Sequence, residues 1–163
     1  MHPMLQKNVD SNFITEEQAN YIEKAIENKE SIIISGHRSA GVRVFMATIM
    51  AIVKSKYNTK QVKNEESIEG GVDYYLIPGI DGDFEAIVQK AFNDANIVTL
   101  KEPEHPYSIL KIMKKAAKEG GDTNRVVTLL ECRKIDGVPF LINLNRHMYD
   151  NGKVVKEETP REF

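Results

Sequence analysis

Short apolar runs without polar alternation recur between helix-like segments along this chain. Three such runs cover residues 31–35, 73–77 and 96–100. A strand that is apolar at successive positions is covered on both faces, as in a parallel sheet. Apolar residues spaced three and four apart predict helices at residues 16–28 and 83–94, and a segment that is apolar nearly all round predicts a buried helix at 41–56. A further helix is predicted from Pro106 to residue 119, ending at Gly120-Gly121. Three alternating strand–helix units therefore predict an α/β fold.

The start of the first of these helices has a specific sequence signal. Thr15 and Gln18 are spaced as in a capping box. In that arrangement the threonine hydroxyl accepts from the third backbone amide, and the glutamine side chain reaches back to the threonine amide. We therefore expect the helix to begin at residue 16.

The last third of the chain changes to strands joined by tight turns. Segments 126–133 and 138–145 flank Asp136-Gly137, and segments 146–149 and 153–157 flank Asn151-Gly152. Asp-Gly and Asn-Gly favour two-residue hairpins, because both central residues adopt positive φ. These signals predict an antiparallel β-meander that extends the parallel sheet at one edge. One weak strand is also predicted near residues 61–63.

Size and charge limit the organisation and the partners. The chain has 163 residues, of which 41% are hydrophobic and 28% are charged, which suits one globular domain. We expect a flexible leader over residues 1–13, a single domain over 14–157 and a tail over 158–163. The formal net charge of −2 argues against bulk electrostatic binding to nucleic acid.

Targeting and redox signals point to the cytoplasm. No run reaches the roughly 18 apolar residues of a membrane span, and the polar segment 1–10 does not follow the pattern of a signal peptide. Cys132 is the single cysteine, so no internal disulfide can form, and a small core or strand residue in a reducing compartment is expected. We therefore expect a cytoplasmic protein with no membrane insertion.

The turn between the first strand and its helix has the glycine spacing of a phosphate-binding loop. Gly36 and Gly41 bracket the four residues His37, Arg38, Ser39 and Ala40. In that motif, backbone amides and a helix N-terminus converge on an anion, and Lys then Ser/Thr follow the second glycine. Val42 and Arg43 stand there instead, so the lysine charge and the magnesium ligand are both missing. Residues 36–43 are thus either a nucleotide or anion site that uses arginine, or a turn without a ligand.

Acidic and basic clusters give further candidate sites. Asp81, Asp83 and Glu85 follow the second strand, at the edge where open α/β sheets bind ligands. They can form an acidic site, or they can stabilise a helix N-terminus. A basic stripe on the fourth helix comprises Lys111, Lys114, Lys115 and Lys118. No aromatic residues interleave with it for base stacking, so a solvated face is preferred to a nucleic-acid site. The four histidines and the cysteine show no metal-ligand spacing.

Three stretches resemble one family, the motor ATPases of type II and type IV secretion and twitching motility. ITEEQANYIEKAIENKESIIISGHRSAG resembles their helix, strand and phosphate loop, YYLIPGIDGDFEAIVQKAFNDANIVTL their second signature, and VVTLLECRKIDGVPFLINLNR their closing strands. The likeness covers roughly residues 14–157. It implies the RecA-like P-loop core, a three-layer, mostly parallel sheet with helices on both faces and an antiparallel meander at one edge.

The departures from this family fall on its catalytic positions. Val42 and Arg43 replace the phosphate-loop Lys and Thr, and Ile80 stands where the family has its catalytic glutamate. Gly82 replaces an arginine, whereas the acidic pair is kept as Asp83 and Glu85. The family's two histidine positions hold Asn96 and Pro103. Groups that act as a unit are not replaced piecemeal, so their joint loss implies loss of motor activity.

The resemblance therefore implies a catalytically degenerate domain without a cofactor. It would act as a binding or scaffold module in a secretion, pilus or conjugation system. Its expected partner is a protein, for example a related motor ATPase or another component of such a system, and homo-oligomerisation is a further option. Two alternatives stay open: a genuine ATPase that binds ATP and magnesium through a non-standard loop, and an unrelated α/β protein.

Overall fold

A computed structural model describes residues 1–120 and 122–163. The helices are α1 (Pro3–Asp10), α2 (Glu16–Glu27), α3 (Val42–Lys56), α4 (Phe84–Asp94) and α5 (Ile109–Gly120). The strands are β1 (Ser31–Ser35), β2 (Thr59–Gln61), β3 (Tyr74–Ile77), β4 (Asn96–Lys101), β5 (Val127–Ile135), β6 (Val138–Asp150) and β7 (Lys153–Pro160). Short 3₁₀ turns cover Arg38–Ala40 and Glu65–Ser67.

The seven strands form one sheet in the order β2-β3-β4-β1-β5-β6-β7. The first five in this order are parallel, and β6 and β7 continue the sheet antiparallel to β5 and to each other. The predicted α/β class, with a mostly parallel sheet and an antiparallel C-terminal region, is confirmed. Because β1 is the central strand, its three isoleucines, Ile32, Ile33 and Ile34, are all buried.

The helices cover both faces of the sheet. The connection through α3 runs from β1 towards β2, whereas those through α4 and α5 cross the sheet in the opposite direction. Right-handed crossovers therefore put α3 on one face and α4 and α5 on the other. The connections leaving the neighbouring strands β1 and β4 therefore run on opposite faces of the sheet, which is the topology at whose carboxyl edge open α/β sheets bind ligands.

Both chain ends are more ordered than the sequence suggests. Helix α1 lies within the segment expected to be a flexible leader, with the His2 side chain as its N-cap, Pro3 in its first turn and Leu5 fully buried. At the other end, β7 extends to Pro160, and Arg161 donates to the Phe13 carbonyl at 2.9 Å. Few apolar residues mark these segments, so periodicity alone does not reveal them.

Several predicted boundaries shift in the structure. Helix α5 begins at Ile109 rather than at residue 106, and the predicted stop at Gly121 lies outside the described residues. The weak strand is β2, two residues earlier than predicted, and β6 is one continuous strand where two were expected. Within the described residues, none of the helices combines the length and apolar character that crossing a bilayer requires.

Candidate functional site

The loop after β1 begins with a glycine that its own sheet requires. Gly36 has φ +138°, and a Cβ there would lie 2.4 Å from the backbone oxygen of Cys132 on β5. The Gly36 amide donates to the Lys101 carbonyl at 3.1 Å. The close approach of two strand ends therefore explains this glycine without a ligand.

Three further amides of this loop donate to acceptors within the loop itself. The Ser39 amide donates to Nδ1 of His37 at 3.3 Å, and the Ala40 amide donates to the His37 carbonyl at 2.9 Å. The Gly41 amide donates to the Arg38 carbonyl at 3.4 Å. The amides of Gly36, Ser39, Ala40 and Gly41 therefore already have acceptors, and Arg38–Ala40 form a 3₁₀ turn. A phosphate-binding loop instead needs such amides free to converge on an anion.

The residue directly after the second glycine is also unsuited to binding phosphate, because it is buried in the core. Val42 stands where the motif has lysine, and its side chain is fully buried. Ala40 is equally buried on the other side of Gly41. Phe45, one turn further along α3, packs edge-on against Phe13 with ring centroids 5.0 Å apart. The start of α3 is thus anchored in the core, where a lysine would place a charge in apolar surroundings.

Arg43, in the first turn of α3, forms an ion pair within the chain. Its Nη2 donates to Oε1 of Glu102 at 2.9 Å, and its Nε donates to Oε2 at 3.2 Å. The Glu102 side chain is 0% exposed, whereas that of Arg43 is 35% exposed. Burial alone would raise the pKa of Glu102, but the hydrogen bonds and charge of Arg43 outweigh burial, so this pKa is lowered.

Three loops meet at this ion pair. Glu102 follows β4. Gly79 follows β3 and lies so close to Arg43 that a Cβ added to it would be 2.9 Å from Nη2 of Arg43. His105 contributes Nδ1 at 3.5 Å from Oε1 of Glu102, and its ring packs against Phe84 at 4.7 Å. This is the carboxyl edge of the sheet, where the neighbouring strands β1 and β4 end. The sequence predicts Arg43 as a site residue but misses the other three.

The acidic residues after β3 lie next to this corner. Asp83 caps α4, because its Oδ1 accepts from the Ala86 amide at 3.2 Å, and Asp81 and Glu85 are exposed. They line an open cleft of about 390 Å³ with Glu104 and His105. Within residues 1–120 and 122–163, no three His, Cys, Asp or Glu side chains are placed to hold a metal ion. The hydrogen bond from the Ala86 amide directly supports the interpretation of Asp83 as a helix cap.

The remaining candidate residues, Cys132 and the lysines of α5, have structural explanations. Cys132 is buried on β5, as predicted, and burial raises the pKa of its thiol to about 12. The four lysines of α5 face solvent, with Lys115 3.8 Å from Glu119. A cleft of about 620 Å³ lies at the opposite edge of the sheet, where Arg125 stacks on Phe92 and donates to the Ala95 carbonyl at 2.6 Å. Arg125 thus provides hydrogen-bond donors for backbone carbonyls at the C-terminal end of α4, next to the start of β4.

No protein-family model and no curated protein matches this chain. At the predicted phosphate loop, the structure has a turn with four amides that already have acceptors, an arginine and a buried glutamate. This arrangement can hold loops together, and its arginine is already bound to an anionic group.

Proposed function

We propose that this chain is a catalytically degenerate relative of the secretion and pilus ATPases, with a RecA-like core. Its domain serves as a protein-binding or scaffold module in a secretion, pilus or conjugation apparatus. The partner is another protein of that apparatus, for example a motor ATPase of the same superfamily. The resemblance of residues 14–157 supports the family, and the central position of β1 with its loop and helix α3 is compatible with it.

One observation carries the non-catalytic part of this proposal. The anion partner of Arg43 is the chain's own Glu102, held by two hydrogen bonds and fully buried. Phosphoryl transfer depends on positive groups and a metal ion that act on the nucleotide phosphates. With Val42 buried and Arg43 paired, the corner offers neither the lysine nor the hydroxyl of the motif.

The second candidate is a genuine nucleotide-binding ATPase with a non-standard loop. Its favouring observation is Arg38, which is exposed in the loop and whose charge acts on Glu102. Arg38 and a released Arg43 could then meet the phosphates. This candidate requires the Arg43–Glu102 pair to open and the loop amides to exchange their acceptors.

Thermal unfolding with nucleotides separates the two candidates. The chain is titrated with ATP, ADP and GTP, with and without magnesium. A ligand at 100 times its Kd stabilises the folded state by about 2.7 kcal/mol, which corresponds to a rise in Tm of roughly 5–11 °C for a chain of this size. The scaffold proposal expects no magnesium-dependent rise at millimolar nucleotide, and such a rise would refute it.

An arginine variant makes the titration specific to this corner. Arg43→Met removes the guanidinium while keeping a long side chain. Under the second candidate, it abolishes the nucleotide-dependent rise in Tm. Under the scaffold proposal, Arg43→Met and the unmodified chain both lack that rise, although the variant is less stable.

A further inference from the structure

We infer that Glu102 is an internal pseudo-ligand, whose carboxylate fills a latent site for a phosphate-class oxyanion formed by Arg43 and His105. The inference rests on the proposed function, in which this corner works without nucleotide. It adds a specific role for Glu102. The chain supplies its own anion, and this internal carboxylate, rather than a bound phosphate, holds the segments after β1 and β4 together.

The first argument is chemical equivalence between the two anions. A guanidinium binds carboxylate and phosphate through the same pair of parallel N–H···O hydrogen bonds. Arg43 makes that pair with Glu102, through Nη2 and Nε, at 2.9 and 3.2 Å. The carboxylate thus uses the donors that an oxyanion bound at this position would need.

The second argument is the local balance of charge. Arg43 and His105 lie within 3.5 Å of the Glu102 carboxylate, and exposed Arg38 also acts on it electrostatically. Within the described chain, Nδ1 of His105 makes no hydrogen bond. Without the carboxylate, the Arg43 guanidinium and the His105 imidazole would face an emptied space, and an anion is the ligand such a space favours.

The third argument is position. Glu102 directly follows β4, and Arg43 is in the first turn of α3, which follows the β1 loop, so the pair lies at the carboxyl ends of these neighbouring strands. Ligands of open α/β sheets bind outside the carboxyl ends of the strands, at the point where the connections run to opposite faces. The Glu102 carboxylate therefore occupies the position at which this architecture binds external ligands.

The test empties the site and offers inorganic phosphate. Glu102→Ala removes both the charge and the volume of the side chain, whereas Glu102→Gln removes only the charge and keeps the space filled. Melting temperatures are compared in phosphate and in chloride at matched ionic strength. We expect phosphate at about ten times its Kd to raise the Tm of Glu102→Ala by roughly 3–6 °C. The unmodified chain, Glu102→Gln and the double variant Arg43→Met/Glu102→Ala should show no such rise.

Each result decides for or against the inference. A phosphate response in Glu102→Ala equal to that of the unmodified chain overturns it, as does an equal response in the double variant, which would indicate general anion stabilisation. If Glu102→Ala is unfolded in chloride, phosphate must restore a cooperative transition. Should phosphate fail to do so, Glu102→Ser, which keeps a small polar side chain, decides by the same comparison. A response of the unmodified chain to Mg·ATP would instead refute the proposed function, so the two failures are distinguishable.

Discussion

Arg43 and Glu102 are 59 residues apart in sequence and form a bidentate ion pair at the carboxyl edge of the sheet. The pair joins the first turn of α3 to the end of β4. Because Glu102 is fully buried and Arg43 is only one-third exposed, the two charges interact with little screening by solvent. A residue that the sequence offers as a phosphate ligand is thus committed to holding two loops together.

Breaking this pair from one side should destabilise the fold strongly. Arg43→Met leaves a buried carboxylate whose remaining neighbour is His105, and we expect a loss of about 3 kcal/mol in the free energy of unfolding. The double variant Arg43→Met/Glu102→Gln should lose less than the two single variants combined, because no uncompensated charge remains. Urea unfolding at pH 7 measures all four proteins. Strictly additive losses would show that the two side chains do not interact.

Gly36 should tolerate no side chain. In Gly36→Ala, the added Cβ meets the Cys132 backbone oxygen at 2.4 Å and also requires positive φ, so we expect a loss of at least about 2 kcal/mol. Gly71→Ala is the matched control, since Gly71 has φ +81° but no atom within 4 Å of the added Cβ. Its loss should stay near 1 kcal/mol. Equal losses in urea unfolding would mean that the contact with β5 does not restrict Gly36.

The sequence predicts the local elements of this fold well. The runs that form β1, β3 and β4 are recognisable because both faces of each are buried, and Asp136-Gly137 correctly marks the first hairpin. The capping box is confirmed as well: the Gln18 amide donates to Oγ1 of Thr15 at 3.0 Å, and the Thr15 amide donates to Oε1 of Gln18 at 2.9 Å. These features depend on residues close together in the chain.

The candidate site is harder to predict, because it depends on strand order. Glu102 contacts Arg43 only because β4 lies beside β1, an arrangement that local periodicity does not specify. A signal was nevertheless present, since Glu102 is an acidic residue directly after a buried strand, where side chains reach the carboxyl edge. The same limit applies to α1, whose place depends on the packing of Leu5 rather than on a periodic apolar face.

His147 should make the fold less stable in mild acid. Burial lowers the pKa of His147, and Lys156 and Lys101 lower it further. The unfolded chain, with an ordinary histidine pKa near 6.5, therefore binds a proton at a pH where the folded chain does not. Stability conferred by the neutral ring is complete above about pH 6.5 and falls as the pH drops towards the lowered value, by at most about 1.4 kcal/mol per pH unit.

The comparison for this prediction is His147→Gln, which cannot take up a proton. Urea unfolding at intervals between pH 7 and pH 5 gives the slope of stability against pH for both proteins. The other three histidines are common to both, so their contributions cancel in the difference. We expect a shallower slope for the variant, and parallel curves would contradict the lowered pKa of His147.

The acidic residues after β3 should differ in their effect on stability. Asp83→Ala removes the acceptor for the Ala86 amide at the start of α4, with an expected loss of about 1 kcal/mol. Asp81→Ala is the control, because Asp81 is exposed and lies outside the helix, and it should change stability by less than about 0.5 kcal/mol. Thermal unfolding of both variants provides the comparison. An equal effect of the two would argue against the capping role of Asp83.

The central claim is that the loop at residues 36–43 binds no nucleotide and that its Arg43 serves instead as the partner of Glu102. Isothermal titration calorimetry of the unmodified chain with Mg·ATP tests it most directly, with Arg43→Met as the variant that lacks the only loop charge paired to Glu102. We predict no saturable heat for either protein at millimolar Mg·ATP. Saturable one-to-one binding to the unmodified chain that disappears in Arg43→Met would contradict the claim and identify residues 36–43 as a working nucleotide site.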